Sequence, residues 1–259
     1  MTERLQKVTG IVLKETTLNE NDKIVQVLSK ELGVIKIYAK GAMRLKNKFH
    51  SSIGIFTYSD FVVYKPANSD LYQLNEASVK HIFHGLSENI DFLSLAMYMS
   101  ELTVEVTVPN DKNNDILRLF LNTLHIMTSK RWNVDMCKAA FEMRLMADIG
   151  FMPNIIGCCR CGRYEAETFY FIISKGEMYC QNCFHTAAEL PQDVIKLKMP
   201  SVMALRYFIL ADLEQMFSFD LAKPYQLPVF KICEEYVLKQ TGRFYNTLNF
   251  FKDIHIIGR

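Results

Sequence analysis

Residues 158–161 read Cys158-Cys159-Arg160-Cys161 and residues 180–183 read Cys180-Gln181-Asn182-Cys183, with eighteen residues between the two groups. Two C-x-x-C pairs at this separation offer four thiolates from two tight turns, the donor set of a tetrahedral zinc site. Between them, residues 168–174 and 177–179 are rich in β-branched and aromatic types and are joined at Lys175-Gly176. That pattern predicts a hairpin that folds the second pair back beside the first. The stretch is therefore expected to form a zinc ribbon.

Two ligands from one knuckle need two intervening residues to converge, so the spacing selects Cys158 and Cys161 over Cys159, with Cys180 and Cys183 opposite. His185 is a spare candidate ligand. A redox site would need one C-x-x-C opening a helix after a strand, and disulfides do not suit a chain without a secretory leader. Four thiolates leave no open coordination position, which predicts one structural Zn2+ and no metal catalysis. Cys137 and Cys233 fall in apolar helical patterns and read as small core residues.

Working outward, the 259 residues carry a net charge of +2, with 49% hydrophobic and 22% charged side chains. That is material for a sizeable core, and so balanced a charge means that any affinity for nucleic acid must come from local clustering. The first residues lack the apolar stretch of a signal peptide, and no later run has the roughly 18 apolar residues of a membrane span. With seven cysteines, four of them in a metal pattern, the expectation is a protein of the reducing cytoplasm with no membrane partner.

Before the cysteines the chain changes character once. Residues 8–14, 23–29, 34–40, 57–64 and 71–77 have strand composition. Five strands so close together predict a small closed barrel, since closure removes exposed edges. Gly33 is placed in the turn between the second and third. Helical spacing follows over 90–106, 115–129 and 134–149, ending at Gly150, and resumes over 201–217 and 227–240. The fold class is thus α+β, with a barrel at 1–80, a helical domain at 81–153 and 190–259, and the zinc module inserted at 154–189.

Residues 36–49 hold Lys36, Lys40, Arg44, Lys46 and Lys48 and no acid. The segment leaves the third strand for a loop, where cations can track phosphates while Tyr38, Phe49, Tyr64 and Tyr72 offer rings for base stacking. Lys7, Lys14 and Lys23 extend the patch. The competing reading is a solvated surface loop. Residues 157–163 imitate a phosphate loop in glycine spacing, but Arg163-Tyr164 replaces the required Lys-Ser/Thr. Hydrolase elbows, metalloprotease helices and a His-x-Glu deaminase motif are all missing from the sequence. On the third helix Lys138, Glu142, Arg144 and Asp148 read as i,i+4 pairs on a solvated stripe. The alternative is a cation edging a groove that takes an acidic peptide end.

Taken together, several short pieces resemble the bacterial RecO family of DNA repair and recombination mediators along nearly the whole chain. They are Gly10-Ile-Val-Leu-Lys14, Glu20-Asn-Asp-Lys-Ile24, Lys40-Gly-Ala-Met-Arg44, Leu71-Tyr-Gln-Leu74, Phe141-Glu-Met-Arg-Leu145 with Gly150-Phe-Met-Pro153, and the two knuckles. The resemblance implies an oligonucleotide-binding (OB) fold for the barrel and a helical domain that carries the zinc module. It implies binding of single- and double-stranded DNA, annealing of complementary strands, and no enzymatic reaction. The implied partners are RecR, the C-terminal tail of the single-strand-binding protein and, indirectly, RecA, at the bacterial nucleoid. The family's basic loop falls on Lys40, Arg44, Lys46 and Lys48, with Lys14 and Lys36 beside it on the strands, and Arg144 is the candidate for the tail pocket. Met43 and Leu45 stand where relatives often have polar or basic residues. A protein-interaction adaptor whose barrel only supports its zinc module, and a zinc enzyme, are the rival classes.

Overall fold

The computed structural model describes residues 5–44, 47, 49–108, 111–112, 114–129, 132–184 and 192–255. The chain divides into two compact units, Met1–Thr128 and Ser129–Arg259.

In the first unit, β1 (Gln6–Thr17), β2 (Lys23–Ser29), β3 (Gly33–Ala39), β4 (Thr57–Tyr64) and β5 (Tyr72–Ile82) close into a barrel ordered β1-β2-β3-β5-β4. That is the strand order of an OB-like barrel. Closure depends on a short parallel seam, Ile37 opposite Tyr72 and Tyr38 opposite Gln73. Alternation sends Val25 and Val27 inward from β2, Ile35 and Ile37 from β3, and Phe61 and Val63 from β4. A bulge between Val12 and Lys14 lets Ile11, Val12 and Leu13 all be buried before Lys14 turns out. Gly33 has φ +61, and a Cβ there would lie 2.2 Å from the Asp111 carbonyl oxygen, so only glycine fits this turn.

Two helices complete the unit, α1 (Ile90–Val106) and α2 (Asn114–Thr128). Asn89 starts α1 by accepting from the amides of Asp91 and Phe92. Its buried side carries Leu95, Met99 and Leu102, whereas Met97 is 36% exposed. Because α1 has apolar residues almost all round, packing partners decide which of them are covered.

The second unit begins with α3 (Val134–Asp148), capped by the Asn133 side chain at Met136 N–H. It continues through β6 (Thr168–Ile172), β7 (Glu177–Cys180), α4 (Gln181–Phe184), β8 (Val194–Lys198), α5 (Met199–Leu210), α6 (Gln226–Thr241) and α7 (Asn246–Ile254). The hairpin expected between the knuckles is present, and β8, which lies past residue 189 and was not anticipated, pairs along the other edge of β6. The helix expected over 201–217 stops at Leu210, and the following segment sends Phe217 and Phe219 against Trp132.

The charges of α3 depart from expectation. Lys138 and Glu142 do pair, at 2.8 Å, but at 4% and 0% exposure, and Glu234 of α6 joins them at 2.9 Å. Burial opposes the Lys138 charge, yet the two carboxylates win and raise its pKa. A solvated stripe is thus replaced by a buried ion cluster between α3 and α6.

Candidate metal centre and nucleic-acid interface

The candidate metal centre is built by two turns and a hairpin. Gly162 (φ +71) turns the first knuckle so that its amide donates to the Cys158 carbonyl, while the Cys158 amide donates to that of Arg163. The second knuckle follows directly from β7, with Cys180 its last residue and Cys183 on α4. The Sγ atoms of Cys158, Cys161, Cys180 and Cys183 lie within 4.8 Å of one another. Cys161 Sγ and Cys180 Sγ are 3.8 Å apart. That is well beyond the ~2.05 Å of a disulfide and matches the ~3.8 Å edge of a tetrahedron with metal–sulfur bonds near 2.3 Å. Burial would raise the Cys158 thiol, but hydrogen bonds at the Cys180, Cys161 and Arg160 backbone lower it to about 6. The donor set and spacing fit a four-coordinate metal ion.

Cys159 stands outside the cluster. Its amide donates to the Met178 carbonyl at 2.8 Å and its thiol faces the Asn154 carbonyl at 3.8 Å, so it joins the knuckle to β7 through backbone and leaves the ligand set alone. His185 lies outside the described residues. Phe184 stacks on Tyr170 at 4.2 Å and 7°. Arg206 of α5, only 2% exposed, donates to the carbonyls of Ile155 and Tyr164 and lies 3.9 Å from the Tyr164 ring centroid. This cation fastens the knuckle's flanks to α5. In the sequence it looks like one charge in an apolar helical run, and only the backbone carbonyls that reach it reveal the role.

In the barrel, register aligns the basic residues. Lys14 of β1 is opposite Gln26 of β2, and Gln26 is opposite Lys36 of β3. The three form a row on the outer face, with Lys14 and Lys36 about 10 Å apart at ~4.8 Å per strand step. One step along the same face, Ile24 is opposite Tyr38. Lys40 and Arg44 follow on the loop, both exposed. Among the described residues no ion pair uses Lys14, Lys36, Lys40 or Arg44, whereas Lys23 is tied to Glu15 at 2.8 Å. Lys7 belongs to another place, a cleft of about 470 Å³ beside Thr9, Asp60 and Lys80. Lys46 and Lys48 lie outside the described residues.

Only some of the rings expected to stack are accessible. Phe49 is 8% and Tyr72 6% exposed, both within the barrel core, with Tyr72 opposite the inward Ile37. Tyr38 and Tyr64 are half-buried. The Tyr38 hydroxyl donates to Asp22 Oδ2 at 2.7 Å, which holds the ring and raises the phenol pKa.

Arg144 of α3 is half-buried. Its Nε donates to Asp148 at 2.9 Å and its Nη1 to the Ala211 carbonyl at 2.7 Å. Ala211 is the C-cap of α5, so the guanidinium satisfies a helix-end carbonyl and complements the negative end of the helix dipole. Among the described residues no helix is long and apolar enough to cross a membrane.

Comparison with known proteins gives one consistent result. The family model for the N-terminal part of recombination protein O matches residues 1–83, and that for its C-terminal part matches residues 87–248. A protein described as DNA repair protein RecO from Alkaliphilus metalliredigens is 29% identical over 251 residues, covering 96% of this chain and 100% of the relative. Its counterpart from Acetivibrio thermocellus is 27% identical over 248 residues, with 96% of each covered. That from Listeria monocytogenes is 24% identical, with 96% and 95% covered.

Proposed function

The chain belongs to the RecO family, and from that premise we propose that it serves DNA repair as a DNA-binding recombination mediator with no catalytic reaction of its own. The observation that supports this reading best is the outward row of Lys14 and Lys36 on a closed barrel, continued by Tyr38, Lys40 and Arg44. Cations that form no ion pair among the described residues, beside an accessible ring, suit single-stranded DNA, where counterions leave the phosphates on binding and bases stack. Lys46 and Lys48 extend the loop in the same reading.

The reaction it promotes is physical. Cations neutralise phosphates on two strands, the strands approach, and base pairing supplies the free energy of annealing, so no nucleotide cofactor is required. With RecR, the protein helps RecA onto single strands coated with single-strand-binding protein, whose acidic tail it recognises. Arg144 contributes to that recognition through the part of its guanidinium beyond Nε and Nη1. The metal is zinc, one ion held by Cys158, Cys161, Cys180 and Cys183; with four thiolates it is structural and holds the ribbon's turns together.

Charge reversal at Lys40, Arg44 and Lys48 together tests the interface. Binding to every DNA sequence weakens and its dependence on salt flattens; an unchanged salt slope would remove the loop from the site. The wider role is tested by annealing strands coated with single-strand-binding protein that has or lacks its acidic tail.

A further inference from the structure

The Asp22 carboxylate sits at the start of β2, 9% exposed, amid the most basic segment of the barrel. Its Oδ1 accepts the Gly41 amide at 2.7 Å, and its Oδ2 accepts the Tyr38 hydroxyl at 2.7 Å and the Asn19 side-chain amide at 2.9 Å. Three donors therefore converge on one side chain. The turn that carries Asp22 is itself held, because Asn19 Oδ1 accepts the amides of Asn21 and Asp22. A second strap runs beside it, from the Met43 amide to the Asn21 carbonyl at 2.9 Å. The far side of the loop is anchored by Ala42, 1% exposed in the barrel core.

We propose that Asp22 is a positioning residue for nucleic-acid binding, fixing Tyr38 as a stacking ring and the Gly41 backbone as the mount for Lys40 and Arg44. The inference rests on the DNA-binding reading given above. Its physical basis is pre-organisation. A loop carrying several like charges and a left-handed glycine (Gly41, φ +68) has many conformations to lose on binding, and a charge-assisted clamp removes that loss beforehand. The clamp also spaces the ring and the two cations together, since Tyr38, Lys40 and Gly41 are consecutive or nearly so in the chain. Burial of the carboxylate keeps it occupied with internal donors. Its low pKa, about 2, has the Gly41 amide as first cause, then the Tyr38 hydroxyl and the Asn19 amide.

The charge of Asp22 by itself argues the opposite way, which makes the test decisive. A carboxylate beside a phosphate-binding cluster opposes binding through space, so removing it would tighten binding if charge were its only effect. The experiment measures affinity of the full chain for a fluorescent oligothymidine across a salt series, comparing wild type, D22A, D22N and K40A/R44A. The inference expects D22A to bind about tenfold more weakly, with D22N between, because loop-ordering free energy of about 1.4 kcal/mol corresponds to a factor of ten. Hydrogen exchange in residues 40–44 rises in both variants while circular dichroism and melting show the barrel intact.

A last arm separates positioning from general damage. In a Y38A/K40A/R44A background, adding D22A changes affinity less than about twofold, since the residue acts through groups already removed. If K40A/R44A weakens binding but D22A and D22N bind as tightly as wild type or more tightly, the inference is wrong and the DNA-binding reading stands. If K40A/R44A has no effect, both fall together. If D22A lowers affinity equally in the Y38A/K40A/R44A background, Asp22 does not act through this cluster and the inference is again wrong. Should D22A fail to fold, D22N carries the same comparisons.

Discussion

Cys161 Sγ and Cys180 Sγ stand 3.8 Å apart, one from each knuckle, although eighteen residues separate them in the chain. Neither turn alone brings four thiols together, so the β6–β7 hairpin is what gathers the donor set. On the zinc assignment proposed above, Cys180→Ser is expected to release the ion and to loosen the second unit, read by metal analysis and by a lower melting transition for that unit. DNA binding by the barrel is expected to persist. If it collapsed while the barrel stayed folded, the metal module would belong to the DNA site.

Lys138 is held between Glu142 and Glu234 with almost no access to water. Lys138→Ala removes the cation that pairs with the fully buried Glu142, while Glu234 keeps Lys252, and a loss of about 3–5 kcal/mol is expected in denaturant unfolding. Lys252→Ala removes a partly exposed partner of the same Glu234 and is expected to cost no more than about 1 kcal/mol. Equal effects of the two would contradict the burial argument.

Gly33 and Gly150 both have positive φ, at +61 and +93, but only Gly33 faces an obstruction, the Asp111 carbonyl oxygen. Gly33→Ala is expected to destabilise the first unit by more than about 2 kcal/mol, from conformational strain plus a clash with backbone that cannot easily move. Gly150→Ala meets nothing within 4 Å and is expected to lose only the conformational part, about 1–2 kcal/mol. Urea melts of the two variants make the comparison.

The Asp22 clamp has a defined pH window. Its carboxyl is lowered from 3.8 to about 2 in the folded chain, so its stabilising effect is complete above the unfolded value and is lost as pH falls through about 2. The difference between wild type and D22N in exchange at residues 40–44 is expected to be constant from pH 8 to about 5. It should shrink only as pH drops below roughly 4. A difference that changed between pH 7 and 6 would mean that a histidine, and not Asp22, governs the loop.

Much of the fold was legible because its signals are local. The bounds expected for β2, β4 and α1 match the observed Lys23–Ser29, Thr57–Tyr64 and Ile90–Val106, since β-rich composition between turn residues frames the strands and a long apolar run frames the helix. The convergence of the four cysteines was legible for the same reason, because knuckle geometry depends on two intervening residues. Strand β8 was not, as an alternating run of five residues gains meaning only from the β6 edge it pairs with. Helix α7 was missed because its nine residues fall short of the window over which a helical period is read, although the period itself is strong.

By itself, the sequence determined the closed set of four thiolates, the five strands of the barrel, and the concentration of positive charge after β3. These follow from residue type and short spacing. Tertiary structure decided where the members of each group sit and what they touch. It buried Phe49 and Tyr72 and left Tyr38 accessible, turned the Lys138 pair into an internal cluster, and bound Arg144 to the end of α5. It also brought Asp22 to Gly41 across nineteen positions, a contact set by the packing of two loops at one end of a barrel. Such relations depend on which backbone groups meet in space, and the sequence records them only through the fold.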